Sequence, residues 1–205
     1  MHPFKLTFSL FFVSCILIAQ DSLILIPNGR TGKDAYLSSF HPDINFGDFN
    51  DISSHAWTNG GEDAIVRSLI EFDLSELKNG TIIKSAMLTF YASKNSPGGS
   101  HSTSGGSNEV LIQRVITPWD ENTVCWNNQP QTTSLNEVTL IESVYYNEDY
   151  ENIDVRQLIQ DSMDDLDNSF GFLLRLKTEE IYRKLVFGSS DVKNMKLRPK
   201  LVIVY

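Results

Sequence analysis

The chain has 205 residues, 41% of them hydrophobic and 11% aromatic, with 26 acidic against 17 basic side chains and two cysteines. That composition excludes a collagenous chain, a disordered chain and a scaffold built on disulfides, because the apolar content is ordinary and cysteine is scarce. The formal charge of −9 argues against general nucleic-acid binding, which draws its affinity from neutralised phosphates.

The chain opens on a targeting pattern. One cation, Lys5, precedes an almost unbroken apolar run over residues 6–19, and polar residues begin at Gln20. Residues 1–20 therefore read as a secretory signal peptide cut near Ala19 or Gln20. A lipid anchor on Cys15 is the competing reading, although the residues after Cys15 stay apolar. Losing Lys5 with the leader takes the charge from −9 to −10. The remainder, residues 21–205, is one domain of about 185 residues, which buries roughly 70% of the surface its unfolded chain exposes. No later segment holds the about 18 apolar residues that suggest a membrane span, so an exported, soluble monomer without a transmembrane segment is expected. Cys125, between Val124 and Trp126, reads as a small core residue. Asn79-Gly80-Thr81 matches a glycosylation acceptor.

Short runs rich in β-branched and aromatic residues then recur between Gly, Asn, Ser, Pro and Asp clusters, the pattern of an all-β sandwich or barrel. Strands are expected over 22–26, 34–38, 52–57, 64–73, 82–93, 109–116, 138–146, 170–177, 184–188 and 200–205. Between 82 and 93 the period is two, with Ala86, Leu88, Phe90 and Ala92 on one face and Ser85, Met87, Thr89 and Tyr91 on the other. Val155, Leu158, Ile159 and Met163 have helical spacing behind Asp154, a good N-cap, and predict one short helix. The Gly- and Ser-rich stretch 96–108 reads as a mobile loop between strands.

Enzyme motifs are missing: there is no G-x-S-x-G elbow, no H-E-x-x-H, and no phosphate or dinucleotide loop. His41, His55 and His101 have no ligand spacing and read as solvated side chains. Paired carboxylates can still hydrolyse glycosides, but the sequence does not pair its many acids. No cofactor is required. A structural calcium ion is a candidate, because Asp34, Asp43, Asn45, Asp48 and Asp191 offer oxygen ligands near turns; their ordinary role is to cap turns by accepting backbone N–H groups.

Three segments together resemble the DNRLRE-domain proteins, which overlap carbohydrate-binding module family 96. They are Arg67-Ser68-Leu69-Ile70-Glu71-Phe72-Asp73-Leu74-Ser75 with the following 82–88 stretch; Trp119-Asp120-Glu121-Asn122-Thr123-Val124-Cys125-Trp126-Asn127-Asn128-Gln129-Pro130; and Phe187-Gly188-Ser189-Ser190-Asp191 with the closing 198–205 strand. The middle one is the most specific, with two tryptophans seven apart. Asp191 departs from the family's Arg-Glu pair. The resemblance implies a jelly-roll β-sandwich of two antiparallel sheets, export, and binding of an extracellular polysaccharide, with acidic polymers such as alginate among the ligands of related modules. It does not imply catalysis.

Sugars are gripped by aromatic rings stacked on C–H faces and by planar polar groups, and anionic sugars also favour arginine. Strand alternation nominates Arg67, Arg175 and Lys177 as outward, with Tyr91 and Gln113 or Arg114 on the same face and Trp57 as an exposed aromatic. The structural alternatives are an ion pair of Arg67 with Glu71 or Asp73, and core packing of Trp119 with Trp126. Two rival functions stay open: an adhesive surface protein making protein contacts, and a small polysaccharide lyase or hydrolase.

Overall fold

A computed structural model describes residues 21–28, 31–93, 96 and 99–205; the leader assigned to residues 1–20 lies outside them. In chain order the first strands are β1 (Ser22–Leu25), β2 (Gly32–Ser38), β3 (Asp51–Asn59), β4 (Glu62–Phe72), β5 (Ser85–Phe90) and β6 (Val110–Val115). They are followed by β7 (Thr132–Leu140), β8 (Tyr150–Asp154), the helix α1 (Arg156–Asp164), β9 (Phe172–Leu176), β10 (Arg183–Gly188) and β11 (Lys200–Val204). All strand pairs are antiparallel. The smaller sheet has the order β1-β11-β5-β8; the larger runs β10-β3-β4-β9-β6-β7, with β2 on β4. The expected all-β sandwich with one short helix is what forms.

Alternation builds the core. Ala86, Leu88 and Phe90 of β5 meet Phe172, Leu174 and Leu176 of β9 in one apolar cluster between the sheets. Phe90 stacks on Phe187 of β10 at 5.1 Å. The helix adds Leu158, Ile159 and Met163, behind Val155. Val155 holds the cap position itself, and Asp154 acts from one residue earlier, its carboxylate accepting the Arg156 N–H at 2.9 Å. No helix among the described residues is long and apolar enough to cross a membrane.

The larger sheet forks at β4. Val66 pairs with both Ser38 of β2 and His55 of β3, and Ser68 with both Tyr36 of β2 and Leu174 of β9. A strand has two edges, so β3 and β9 share the edge opposite β2. Where β4 changes partner, the Ser68 hydroxyl accepts the Ser53 N–H and donates to the Ser53 carbonyl, both at 2.9 Å. This side chain, 0% exposed, replaces the missing ladder bonds. Its position also divides β4: Ala64 and Val66 line an outer cavity, whereas Ile70 and Phe72, of the same parity, enter the main core. Ser68→Ala strands two buried backbone groups and is expected to cost about 2–4 kcal/mol, read as a lower urea midpoint at unchanged m-value.

Several expectations are corrected. The strand expected over 138–146 ends at Leu140 and begins at Thr132, because β7 pairs along β6. Residues 141–146 beyond it leave Ile141, Val144, Tyr145 and Tyr146 exposed. Strand β8 went unforeseen because it lies at a sheet edge and shows Glu151, Asn152 and Asp154 to solvent. The described part of the 96–108 stretch is tied to β10: Ser102 and Lys184 exchange backbone hydrogen bonds at 2.9 Å, and the buried Asn108 donates to the Lys184 carbonyl at 2.8 Å. Two histidines are not solvated. His101 is buried, accepting the Val186 N–H at Nδ1 (3.1 Å) and donating from Nε2 to the Glu148 carbonyl (2.9 Å). His55 is half-buried on β3, with Nδ1 2.8 Å from the Ser53 hydroxyl; His41 is exposed.

Candidate functional site

The outer face of the larger sheet carries the residues that alternate away from the core. Across it, Leu69 of β4 pairs with Leu173 of β9, Leu173 with Gln113 of β6, and Arg175 with Leu111. Part of this face is roofed by the segment with the two tryptophans. Trp119 and Val124 pack on Ala35, Leu37, Leu69, Val115 and Leu173 in a second apolar cluster, with Trp126 at its margin. The expected tryptophan packing is thus realised, with Trp119 buried and Trp126 half-buried.

Polar contacts pin this roof. The Trp119 indole donates to the Phe170 carbonyl at 2.8 Å. Lys33 Nζ donates to the Trp119 carbonyl at 2.7 Å and lies 4.3 Å from the ring centroid. Asn45 Nδ2 donates to the carbonyls of Glu121 and Val124, both at 2.7 Å. Cys125 is a free, buried thiol, and its N–H donates to Asn128 at 2.6 Å.

Beside the roof runs a groove of about 450 Å³ whose lining includes Arg67, Gln113, Gln129, Thr132, Leu173 and Arg175. Its volume lies within the range of ligand pockets. Arg67 forks onto both carboxylate oxygens of Glu179, from Nε and Nη2 at 2.8 Å, and donates from Nη1 to Gln129 at 2.9 Å. Its guanidinium stacks 4.7 Å from the centroid of Trp126. The partner expected for Arg67 is thereby corrected: Glu71 pairs with Lys33 at 3.2 Å. Gln113 donates to Glu137 at 2.7 Å and accepts from the Thr132 hydroxyl at 3.1 Å. Arg175 is half-buried and donates to the Gln113 carboxamide at 3.5 Å. Two guanidinium groups and the carboxamides of Gln113, Gln129 and Gln131 thus share one groove, an array of planar donors that matches carboxylates and paired hydroxyls.

Four other nominated residues lie elsewhere. Arg114 is 7% exposed and faces inward with Val110 and Ile112, donating to the Asn168 carbonyl at 3.1 Å and the Ser169 hydroxyl at 2.9 Å. Lys177 stands beyond the end of β9, paired with Glu109 at 3.2 Å. Tyr91 follows β5 in the smaller sheet and is half-buried, its carbonyl accepting the Gly188 N–H. Trp57 lines a cavity with Val66, so it lies across β4 from Arg67. The seven residues do not form one strip; Arg67, Gln113 and Arg175 converge. The reading of the sequence missed Gln129, Trp126 and Glu179 as partners of Arg67. The only signal for the first two was their membership of the tryptophan segment.

The nominated calcium ligands are largely spent on protein contacts. Asp34, 2% exposed, accepts the Ser190 N–H at 2.7 Å, and its own N–H donates to Glu121 at 2.9 Å. Burial, aided by the charges of Asp191 and Glu121 and opposed by the Ser190 contact, pushes the Asp34 carboxyl up to about 7. Asn45 caps its turn by accepting the Gly47 N–H at 3.3 Å, and Asp43 accepts from Asn127 at 2.8 Å. Asp48 is exposed; burial raises Asp191, and the Asp48 charge adds to that rise. Among the described residues no group of three or more His, Cys, Asp or Glu side chains is placed to hold a metal ion.

Among curated proteins none matches the chain. The model of carbohydrate-binding module family 96 matches residues 29–205.

Proposed function

Because the chain belongs to carbohydrate-binding module family 96, we propose that it is exported by its leader and binds an acidic extracellular polysaccharide, such as alginate, in the groove of Arg67, Gln113 and Arg175. The observation that carries this reading is the convergence of two guanidinium and three carboxamide groups beside the roofed face. Arg67 is held by Glu179 and Gln129 and forms a fixed wall. Arg175 has its guanidinium on two weaker contacts, at 3.5 and 3.3 Å, so it is the group that turns to a uronate carboxylate. Gln113 and Gln129 would meet ring hydroxyls. The family points to binding rather than chemistry, and a binding role asks no proton transfer of these groups.

Affinity electrophoresis in gels containing alginate, pectin or a neutral glucan tests the reading. The acidic polymers are expected to retard the protein, and Arg175→Ala to weaken that retention by about tenfold or more, the loss of one charge-assisted hydrogen bond. Unchanged retention of Arg175→Ala, or no retardation by either acidic polymer, would overturn it. The second outcome would favour adhesion to proteins. One observation supports that alternative: Ile141, Val144, Tyr145 and Tyr146 are each 67–73% exposed within six residues, an apolar display of the kind that marks interaction surfaces.

A further inference from the structure

On the opposite side of β4 lies a cavity of about 410 Å³ that the groove does not use. Seven rings border it: Tyr36, Phe40, His41, Phe46, Phe49, His55 and Trp57. They come from β2, β3 and the 39–50 connection between them. Tyr36 lies 5.6 Å from Phe46, 4.8 Å from Phe49 and 6.1 Å from His55, centroid to centroid, and Trp57 meets Tyr182 edge-on at 5.1 Å. None of the seven is fully buried. Rings in the closed core behave differently, Phe90 and Phe187 being 0% and 1% exposed. These rings therefore keep apolar surface turned to an open cavity.

The charge of this cavity differs from that of the groove. Among the described residues its one lysine or arginine, Lys184, lies 4.8 Å from the centroid of Trp57, and the Asp51 carboxylate acts on it electrostatically. Burial drives His55 down to about 3, so its imidazole is neutral. Burial and the Asp51 charge push the Tyr36 phenol up to about 12, so it too is neutral. Thr58 and Asn59 add uncharged polar groups. A carboxylate ligand would meet an ammonium already matched by an acid, whereas a neutral ring with apolar faces and hydroxyl edges fits both surfaces.

We propose that this cavity is a second glycan site, taking a neutral pyranose unit whose C–H faces stack on the rings and whose hydroxyls reach His55, Thr58 and Asn59. The inference rests on the carbohydrate-binding reading of the chain, not on the groove. The test titrates full-length mature protein with mannohexaose, xylohexaose, cellohexaose and an alginate oligosaccharide, by calorimetry and by the Trp57 indole N–H resonance. At least one neutral hexaose is expected to bind and shift that resonance. Trp57→Ala and the bulkier Trp57→Leu should weaken neutral binding at least tenfold and leave alginate binding unchanged, and Arg175→Ala should do the reverse. Failure of all three neutral hexaoses to move the Trp57 resonance at millimolar concentration would overturn the proposal. Neutral binding lost in Arg175→Ala yet kept in both Trp57 variants would overturn it too. Neutral binding alone, with no alginate binding, would sink the groove and leave this site standing.

Discussion

Trp119→Ala is expected to lower stability by about 3–5 kcal/mol, the range for truncating a large buried aromatic side chain, and to weaken retention on acidic polymers as well. Trp119 is the largest side chain of the second apolar cluster. Its loss would also leave the Phe170 carbonyl without its indole donor and Lys33 without its ring. The same roof ends in Gln129, Pro130, Gln131 and Thr132, which form one wall of the groove. Loosening it would release Gln129 from Arg67 and dissolve the geometry that binding needs. Urea unfolding and affinity electrophoresis on the same protein check both effects. A destabilised variant with full retention would show that the roof supports the fold without shaping the groove.

Asp34→Asn is expected to stabilise the protein at pH 8 by up to about 4 kcal/mol, the free-energy equivalent of a shift from 3.8 to about 7. Between those two values the native state holds a proton that the unfolded chain has released. Stability from this group therefore falls as pH rises from about 4 to about 7 and is level above. Asparagine still offers an oxygen to the Ser190 N–H, without the charge. Its advantage should vanish near pH 4. His55 runs the other way: lowered to about 3, it is neutral in the native state while the unfolded chain takes a proton below about 6.5, so its contribution rises with pH across that window. In Asp34→Asn the His55 rise should stand out more clearly than in the wild type. Calorimetry at pH 4.5, 6 and 8 reads both slopes, and an identical pH dependence in variant and wild type would refute the assignment. Adding calcium or chelator at pH 8 tests the expected ion on the same pair, since an ion held only by the native state raises the melting temperature.

Much of the sandwich was legible because period-two alternation is a local signal. Ala86, Leu88 and Phe90, and Phe172 and Leu174, announce their faces without help from distant residues. That signal also placed Arg67 and Arg175 outward. It left Gln113 and Arg114 as alternatives, and the choice falls to Gln113 because Ile112, next to it, belongs to the main core. What stayed hidden depends on contacts far apart in the chain. Glu179 meets Arg67 across 112 residues and Gln129 meets it across 62, distances at which no spacing rule acts. Phe40, Phe46 and Phe49 lie in a connection with no period, so the sequence could not show them lining one cavity with Trp57. Strand β8 escaped for a different reason: an edge strand can show polar residues to water and lose the alternation that marks its neighbours.

The buried thiol of Cys125 gives the roofing segment a built-in clock. It sits between the two tryptophans and its main chain is tied to Asn128, so a maleimide meets it only when that stretch lifts from the sheet. The rate of alkylation under native conditions then measures how often one wall of the groove opens. Compared with global unfolding, it separates local breathing of the wall from loss of the whole sandwich.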